Sequence, residues 1–190
     1  MMRAGAGLLA LALISCSPPE HPAKANIPPP PPPSVAQAGC RAQTSHDWSA
    51  VGSQYYVVEA EIGGEDCASA TATIRIKSRT GVVLFEHSYA VAQVPLAFSP
   101  NGDQSARRDE IEEWATNAAD VATADSLPAW PGGAARPPNF RPVVNRNTYE
   151  SFRGMGGPMF CFPDDGESNA CVAMSGDHAT LLGSRTPESE

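Results

Sequence analysis

The stretch YYVVEAEIGGEDCASATATIRIKSRTGVVLFEHSYAV, residues 55–91, decides the fold, because it holds three strand-like runs separated by turn residues. Residues 55–62 and 68–77 both alternate between apolar and polar side chains, which is the period of a half-buried strand. Residues 82–91 form a third run that is apolar on both faces in its first half. The turn at 78–81 contains Gly81, which adopts a positive φ without steric strain. We therefore expect three antiparallel strands in a meander.

The two alternating runs define which side chains should be buried. The inward set comprises Tyr56, Val58, Ala60, Ile62, Ala68, Ala70, Ala72, Ile74 and Ile76. On the opposite face, Glu59 and Glu61 should lie across from Arg75 or Lys77. Opposite charges in such cross-strand positions help to fix the register of a sheet.

A helix is expected over residues 103–124. Residues 95–103 break the strand pattern, and Asp103 or Ser105 can cap a helix N-terminus. One face of this helix is apolar at the i, i+3, i+4, i+7 spacing and should lie against the sheet. Its members are Ile111, Trp114, Ala115 and Ala118. The carboxylates between residues 109 and 113 then form a solvated face.

Residues 130–153 are rich in Pro, Gly, Arg and Asn and have no periodicity, so we expect a long irregular loop. Residues 159–162, 170–174 and 179–182 predict three short strands that complete or face the first sheet. The whole pattern indicates an α+β fold, mainly antiparallel β, in a single domain over residues 40–190. It combines a three-stranded meander, one amphipathic helix and a C-terminal set of short strands.

The irregular loop is the candidate binding segment, since structureless connections of that length are often functional. It interleaves arginines with aromatic residues in an otherwise acidic chain. Such a set can bind an anionic or sugar-bearing partner by stacking and forked hydrogen bonds. The candidate residues are Arg136, Phe140, Arg141, Arg146, Tyr149 and Arg153, with Phe152 among them. The alternative is a surface loop whose arginines pair with the acidic strands and helix.

The chain carries 21 acidic and 13 basic residues, a formal net charge of -8 at pH 7. This balance argues against nucleic acid and anionic lipid as partners, because both repel a negative surface. The charge favours solubility, and the alternative is an acidic docking face for a basic partner.

Four cysteines besides Cys16 suggest two disulfides in an oxidising compartment. Cys161 and Cys171 flank a turn-rich loop, as a hairpin staple does, which leaves Cys40 with Cys67. Four cysteines allow three pairings, and the spacing does not choose strictly among them. No Cys-x₂₋₄-Cys pair is present, so neither a four-thiolate zinc site nor a redox Cys-x-x-Cys is expected.

No catalytic motif emerges from the sequence. His46, His87 and His178 are scattered without metal-site spacing, and no Gly-x-Ser-x-Gly frame surrounds a serine. Residues 164–167 lack the oxygen pattern of a calcium loop. We therefore expect no catalytic residue, no metal and no cofactor. An enzyme would need a site assembled from dispersed residues, such as Asp47, His46 and the final hairpin.

The sequence MMRAGAGLLALALISC, residues 1–16, has a basic Arg3, an apolar run and then Leu13-Ile14-Ser15-Cys16. The run is too short to span about 30 Å of hydrocarbon and is typical of a signal peptide over residues 1–15. The last four residues resemble the lipobox of bacterial lipoprotein precursors. That resemblance implies a diacylglyceryl group on the Cys16 thiol, cleavage before Cys16, and acylation of the new amine, for example by palmitate. The alternative is an ordinary secretory signal with Cys16 as a structural thiol.

Residues 16–39 follow as a lipidated cysteine and a proline-rich tether, with an unbroken proline run at 28–33. Consecutive prolines favour polyproline II, which acts as a semi-rigid spacer. The resemblance implies a place in the cell envelope, anchored to the membrane through the lipid on Cys16. Ser17 after the cysteine favours the periplasmic face of the outer membrane over the inner membrane.

Three functions are compatible with this sequence. The first is a non-catalytic, membrane-anchored envelope lipoprotein whose domain binds an envelope protein or a cell-wall component such as peptidoglycan. The second is an inhibitor of a basic hydrolase such as lysozyme, which an acidic, disulfide-bonded, β-rich composition allows although no motif supports it. The third is an enzyme with a dispersed active site. No family resemblance covers residues 40–190.

The cysteine pattern predicts a mass difference for the domain fragment that spans residues 40–190. Under non-reducing conditions this fragment should be lighter by four hydrogens than after reduction, because its four cysteines would form two disulfides. Intact mass spectrometry measures the difference. Four free thiols in the non-reduced fragment would contradict the prediction.

Overall fold

The first layer is a four-stranded antiparallel sheet in the order β1-β2-β3-β4. Its strands are β1 at Cys40–Ser49, β2 at Tyr55–Gly64, β3 at Thr71–Ser78 and β4 at Val83–Ala90. The expected meander is confirmed in β2, β3 and β4. The computed structural model describes residues 39–49, 55–118, 122–133 and 135–186. The predicted signal peptide, Cys16 and the tether up to residue 38 lie outside the described residues.

Strand β1 is an addition that the hydrophobic periodicity did not predict. Its inward positions carry Ala42, Thr44 and His46, which are small or polar and give no apolar alternation. They face a helix, α1 at Gln104–Ala118, whose Glu112 lies 3.0 Å from the His46 ring. Polar inward side chains are tolerated here because the helix supplies their hydrogen-bond partners.

The expected inward faces of β2 and β3 are buried, with one correction at Ala68. Ala68 is exposed and precedes β3, which begins at Thr71. The carboxylate of Asp66 accepts hydrogen bonds from the N–H groups of Ala68 and Ser69, at 2.9 and 2.8 Å. This local turn competes with strand pairing, so strand β3 begins only after it.

The outward face of the first sheet carries the expected ion pairs. Arg75 donates to Glu61 at 2.9 Å and also to Glu86, and Lys77 pairs with Glu59. The hydrogen bond from Arg75 holds the pKa of Glu61 below its ordinary value. These side chains are partly exposed on the sheet surface, where ion pairs contribute only a fraction of a kcal/mol to about 1 kcal/mol each. Their main effect is on register, as the sequence predicted.

The second layer is a five-stranded antiparallel sheet in the order β5-β7-β8-β9-β6. Its strands are β5 at Ala122–Thr123, β6 at Phe140–Pro142, β7 at Pro158–Pro163, β8 at Asn169–Ser175 and β9 at His178–Arg185. The three predicted C-terminal strands are confirmed as β7, β8 and β9. They face the first sheet across a shared core instead of extending it.

The prediction of an irregular loop over residues 130–153 is wrong, because this segment contains β6 and most of a second helix. Helix α2 spans Arg146–Met155. The side chain of Asn145 caps it by accepting a hydrogen bond from the N–H of Thr148 at 3.0 Å, and Gly156 ends it at φ 61°. Helix α2 is mostly polar. Its capping residues therefore indicate a helix more clearly than the spacing of its apolar residues does.

Strand β6 was not predicted, because it is only three residues long and lies at the edge of its sheet. It pairs with β9, in which Gly183 has a φ of 148°. A Cβ on Gly183 would lie 2.2 Å from the carbonyl oxygen of Arg141, so only glycine allows this close approach.

Helix α1 begins as predicted, with Asp103 as its N-cap. The Asp103 carboxylate accepts hydrogen bonds from the N–H groups of Ser105 and Ala106, both at 2.9 Å. Three members of the predicted apolar face are buried: Ile111, Trp114 and Ala115.

Helix α1 is assigned only as far as Ala118, so the expected helix over residues 103–124 is too long at its C-terminal end. Ala122 and Thr123 instead form β5 and pair with Met159 and Pro158 of β7. A 3₁₀ turn follows at Ala124–Ser126. Pairing with β7 therefore overrides helix propensity in this segment.

Side chains from both sheets and from α1 form the main core. The ring centroid of Trp48 lies 5.4 Å from that of Tyr56 and 5.6 Å from that of Phe160. The ring of Trp114 meets Phe162 edge-on at 5.9 Å. Since Trp48 belongs to the first sheet and Phe160 to the second, these contacts join the two layers directly.

A second core covers the opposite face of the second sheet, under α2 and the 3₁₀ turn. Its buried members are Ala124, Leu127, Phe140, Tyr149, Met159, Cys171, Ala173 and Leu182. The second sheet is therefore buried on both faces. This explains why β8 reads as a continuous apolar run and not as an alternating one.

Both predicted disulfides are present in the pairing that the hairpin argument favoured. Cys161 and Cys171 are directly opposed on β7 and β8. Cys40 pairs with Cys67 across a sequence separation of 27, which ties the start of β1 to the β2–β3 connection.

The buried Arg107 holds the β2–β3 connection to helix α1. Its side chain is 1 % exposed, and its Nε and Nη2 donate to the carbonyl oxygen of Cys67 at 3.1 and 3.0 Å. Its Nη1 donates to Glu110 at 2.5 Å. Burial alone would raise the pKa of Glu110, but hydrogen bonds from Ser99 and Arg107 outweigh it and lower the pKa. Arg107 thus joins the disulfide loop and the helix into one unit.

Replacing Arg107 with Met should lower the free energy of unfolding by about 3 kcal/mol or more, because it leaves Glu110 without its cation and the Cys67 carbonyl without its donors. Arg108 is the next residue of helix α1 and is exposed. Arg108→Met is therefore the matched control and should change stability by less than about 0.5 kcal/mol. Urea denaturation of the two variants measures the difference. Equal stabilities would contradict the role assigned to Arg107.

Candidate functional site

The arginines of the predicted binding segment are mostly engaged with their own surroundings. Arg146 donates to the carbonyl oxygen of Trp130 at 3.2 Å, and Arg153 donates to Glu150 at 2.8 Å. Glu150 in turn accepts a hydrogen bond from the N–H of Trp130 at 2.7 Å. These contacts fasten the chain before β6 onto α2. The ion pair of Arg153 is with Glu150 of its own helix and not with the acidic strands or helix α1.

The aromatic members of that segment belong to the second core. Phe140 and Tyr149 are buried with their ring centroids 5.3 Å apart, and the Tyr149 hydroxyl donates to the carbonyl oxygen of Pro128 at 2.8 Å. Burial raises the pKa of Tyr149 to about 12. The expected stacking of these two rings on a ligand is therefore wrong, because neither presents a face to solvent.

Besides Arg146, which is itself exposed, two of the predicted arginines lie at the surface. Arg136 is exposed and makes no ion pair with the residues that the structure describes. Arg141 is exposed, and its Nη2 lies 3.5 Å from the Ser168 hydroxyl. They retain a capacity for anions, but the structure does not join them to an aromatic face.

His46 lies in a polar cluster between β1 and α1, and its geometry differs from a nucleophile–histidine–acid triad. The Nε2 atom of His46 is 3.0 Å from Glu112 and 3.3 Å from the hydroxyls of both Thr44 and Thr116. A triad uses one ring nitrogen for the acid and the other for the nucleophile. Here every contact meets the same nitrogen, so the cluster is arranged to hold α1 against β1.

Asp164 forms a second buried polar cluster at the end of the β7–β8 hairpin. Its two carboxylate oxygens accept hydrogen bonds from Ser168 and Ser184, each at 2.6 Å. The backbone N–H of Asp164 also donates to the carbonyl oxygen of Ser168 at 3.0 Å. Its charge is therefore satisfied within the hairpin and by β9.

Neither a metal-binding group nor a membrane-spanning helix occurs in the described part of the chain. Within residues 39–49, 55–118, 122–133 and 135–186, no three His, Cys, Asp or Glu side chains are placed to hold a metal ion. No helix in the same ranges has the length and apolar character needed to cross a membrane.

The best candidate site lies where the β3–β4 and β8–β9 hairpins meet. Tyr56, 3 % exposed, donates from its hydroxyl to the carbonyl oxygen of Gly176 at 2.8 Å and so ties the first sheet to the β8–β9 hairpin. Burial and the nearby charge of Asp177 raise the pKa of Tyr56. We call the surface formed by Tyr55, Tyr56, Arg79, Asp177 and Asp47 the hairpin-end cleft.

The hairpin-end cleft consists of two adjoining depressions. The larger, about 460 Å³, is lined by Asp47, Tyr55, Tyr56, Val57 and Arg79. The smaller, about 240 Å³, is lined by Tyr55, Tyr56, Ser78, Arg79, Thr80, Gly176 and Asp177. Both depressions are lined by Tyr55, Tyr56 and Arg79, so two aromatic side chains and one cationic side chain serve both. The larger falls within the usual size range of small-ligand sites.

Four of the five residues that define the cleft are exposed, namely Asp47, Tyr55, Arg79 and Asp177. The side chain of Tyr55 is 50 % exposed. Arg79 is exposed and has no ion-pair partner among the described residues. They directly flank Tyr56 and Ser78, a cross-strand pair that ends the β2–β3 ladder. Both line the two depressions, so they lie close together.

The turn that carries Arg79 is held by hydrogen bonds at several points. The N–H of Gly81 donates to the Ser78 carbonyl oxygen at 2.9 Å, and the N–H of Val82 donates to the Ser78 hydroxyl at 3.1 Å. The Ser78 and Thr80 hydroxyls are 2.9 Å apart, and Gly81 has a φ of 87°. The arginine is thus presented from an ordered turn, which reduces the entropy lost when a ligand binds.

This cleft is not predictable from the sequence. Its local signal was Tyr55, an aromatic side chain on the outward face of β2, where Val57, Glu59 and Glu61 follow. Asp177 belongs to the β8–β9 hairpin, which is distant in sequence and lies near Tyr56 because β8 packs on the shared core and Gly176 accepts the hydrogen bond of Tyr56. No protein-family model, curated protein or solved structure matches the chain.

Replacing Tyr56 with Phe should lower the free energy of unfolding by about 1 kcal/mol, because the Gly176 carbonyl loses its donor while the ring still packs on Trp48. The Tyr55→Phe variant is the matched control, since Tyr55 is half exposed, and it should be neutral within about 0.5 kcal/mol. Denaturation measures stability, and amide exchange at residues 175–178 should accelerate only in Tyr56→Phe. Unchanged exchange in that variant would refute the link.

Proposed function

We propose that this protein is an exported, lipid-anchored envelope protein whose folded domain is a non-catalytic binding module. The two disulfides are the observation that carries the export half of the proposal. Structural disulfides persist in oxidising compartments such as the periplasm and are rare in reducing ones. Both bonds lie within the fold, one across a hairpin and one across the start of the first sheet, so each has a structural role.

The lipobox-like motif at Leu13 to Cys16 supports the anchor. A thioether-linked diacylglycerol on Cys16, with a third chain such as palmitate on its amine, would supply the two or more chains that stable anchoring requires. The proline-rich segment before Cys40 would then act as a spacer between lipid and domain. Ser17 favours the periplasmic face of the outer membrane as the destination.

The binding half of the proposal is supported by the hairpin-end cleft. Tyr55 is exposed on strand β2, and Arg79 is exposed on the hydrogen-bonded turn after β3. By contrast, the polar clusters around His46 and Asp164 are satisfied internally, which favours structural roles for both. An envelope protein or a cell-wall component is the partner proposed for this surface.

Replacing Cys16 with Ser should abolish labelling of the protein by radioactive palmitate and move it from the membrane fraction to the soluble fraction. The reason is that only the Cys16 thiol would accept the diacylglyceryl group that precedes cleavage and N-acylation. Fractionation after a carbonate wash, with labelling in parallel, measures both effects.

The double variant Cys40→Ser, Cys67→Ser is the control, because it removes two cysteines and leaves Cys16 in place. It should still be labelled, although its domain would be less stable by about 3–4 kcal/mol for a loop of this length. A Cys16→Ser protein that remains labelled and membrane-bound would refute the lipid anchor.

A further inference from the structure

We propose that the hairpin-end cleft binds consecutive sugar units of a neutral glycan strand. This inference deepens the proposed function, on which it rests, by naming the ligand class of the binding module. It follows from three properties of the cleft: its exposed aromatic ring, its balance of donors and acceptors, and its two adjoining depressions.

The exposed ring of Tyr55 supplies the apolar part of the site. A pyranose ring has one face made largely of C–H groups, and such a face packs well on an aromatic ring. Tyr55 offers a rigid, amphipathic surface with few rotatable bonds, so little conformational entropy is lost on contact. Tyr56 cannot play this part because its ring is buried against Trp48 and its hydroxyl is held by Gly176.

The charged groups around Tyr55 can hydrogen-bond to the hydroxyl groups at the edge of a sugar ring. Sugar hydroxyls both donate and accept hydrogen bonds, so they need acceptors as well as donors. Arg79 supplies a fork of N–H donors, while the carboxylates of Asp47 and Asp177 supply acceptors, one in each depression. A cleft with one cation between two carboxylates suits a neutral polar ligand better than an anion.

The charge of the chain further disfavours an anionic ligand. The net charge is -8, and the two cleft carboxylates outnumber the guanidinium between them. An acidic polymer or phosphate would be repelled both at long range and within the site.

The two depressions favour a chain of sugars over a single one. They share Tyr55 and Arg79, so one unit in each depression would contact both of these side chains. Each depression is open to solvent, and a single unit would bury little surface. Attachment of many copies to one membrane would raise the effective concentration of such weak sites near a glycan layer.

The test is calorimetric titration of the full-length protein in detergent micelles with chitotetraose, and with cellotetraose as the second neutral probe. Binding of either probe is expected, and the Tyr55→Ala and Arg79→Ala variants should each weaken it about tenfold or more, the size of a lost stacking or charge-assisted contact. Preference for chitotetraose would indicate an N-acetylated wall glycan, and no preference would indicate recognition of the shared pyranose face.

A control variant separates the site from general effects. Arg108→Ala removes an exposed arginine that does not line the cleft, and it should leave the affinity unchanged. Absence of binding to both probes at millimolar concentration would overturn the proposal. So would wild-type affinity in both Tyr55→Ala and Arg79→Ala. Loss of palmitate labelling in Cys16→Ser together with no sugar binding would overturn the ligand class and leave the anchor standing.

Discussion

Packing between the two sheets is the interaction on which the rest of the structure depends. Trp48 of the first sheet meets Phe160 of the second edge-on at 5.6 Å, and Ile74 and Ile76 are fully buried in the same cluster. Each aromatic side chain of this size removes a large apolar area from water, worth about 1.5–3 kcal/mol when fully buried. The first sheet alone would expose this face, so neither layer is complete without the other.

The same packing explains why the candidate site exists. Tyr55 at the start of β2 and Arg79 just after β3 both line the cleft, but the pairing of β2 with β3 cannot bring in the β8–β9 hairpin. That hairpin arrives because β8 packs across the core, and the Tyr56 hydroxyl then fixes its Gly176 carbonyl at 2.8 Å. The buried Tyr56 therefore holds the two sides of the cleft together, and its exposed neighbour Tyr55 provides the surface that a ligand would contact.

The fold class and the strands of the meander were predictable because strict alternation of apolar and polar residues is compatible with a half-buried strand and with few other structures. The disulfide at Cys161 and Cys171 followed from the turn between them. Strand β1 was not predictable, since His46 and Thr44 face a helix that supplies polar partners, and alternation of hydrophobicity disappears when the covering surface is polar. Helix α2 was missed because its stability comes from its caps and from the packing of Tyr149.

The binding site, like strand β1 and helix α2, could not be predicted from sequence pattern alone, as the arginine-rich segment at residues 130–153 shows. Its composition suggested binding, yet Arg146 and Arg153 fasten the chain onto α2 and Phe140 is buried. Composition describes which contacts a segment can make, but only the fold decides whether those contacts are internal. For Arg79, the turn and the register leave the guanidinium at the surface.

The central claim is that the two sheets form one cooperative unit that fixes the hairpins relative to each other. Native-state hydrogen exchange tests this most directly, by comparing the opening free energies of buried amides in β3, such as Ile74, with those in β8, such as Val172. The account predicts a single shared value, equal to the global free energy of unfolding. A β3 value clearly different from that of β8 would mean that the layers open independently, and it would contradict the account.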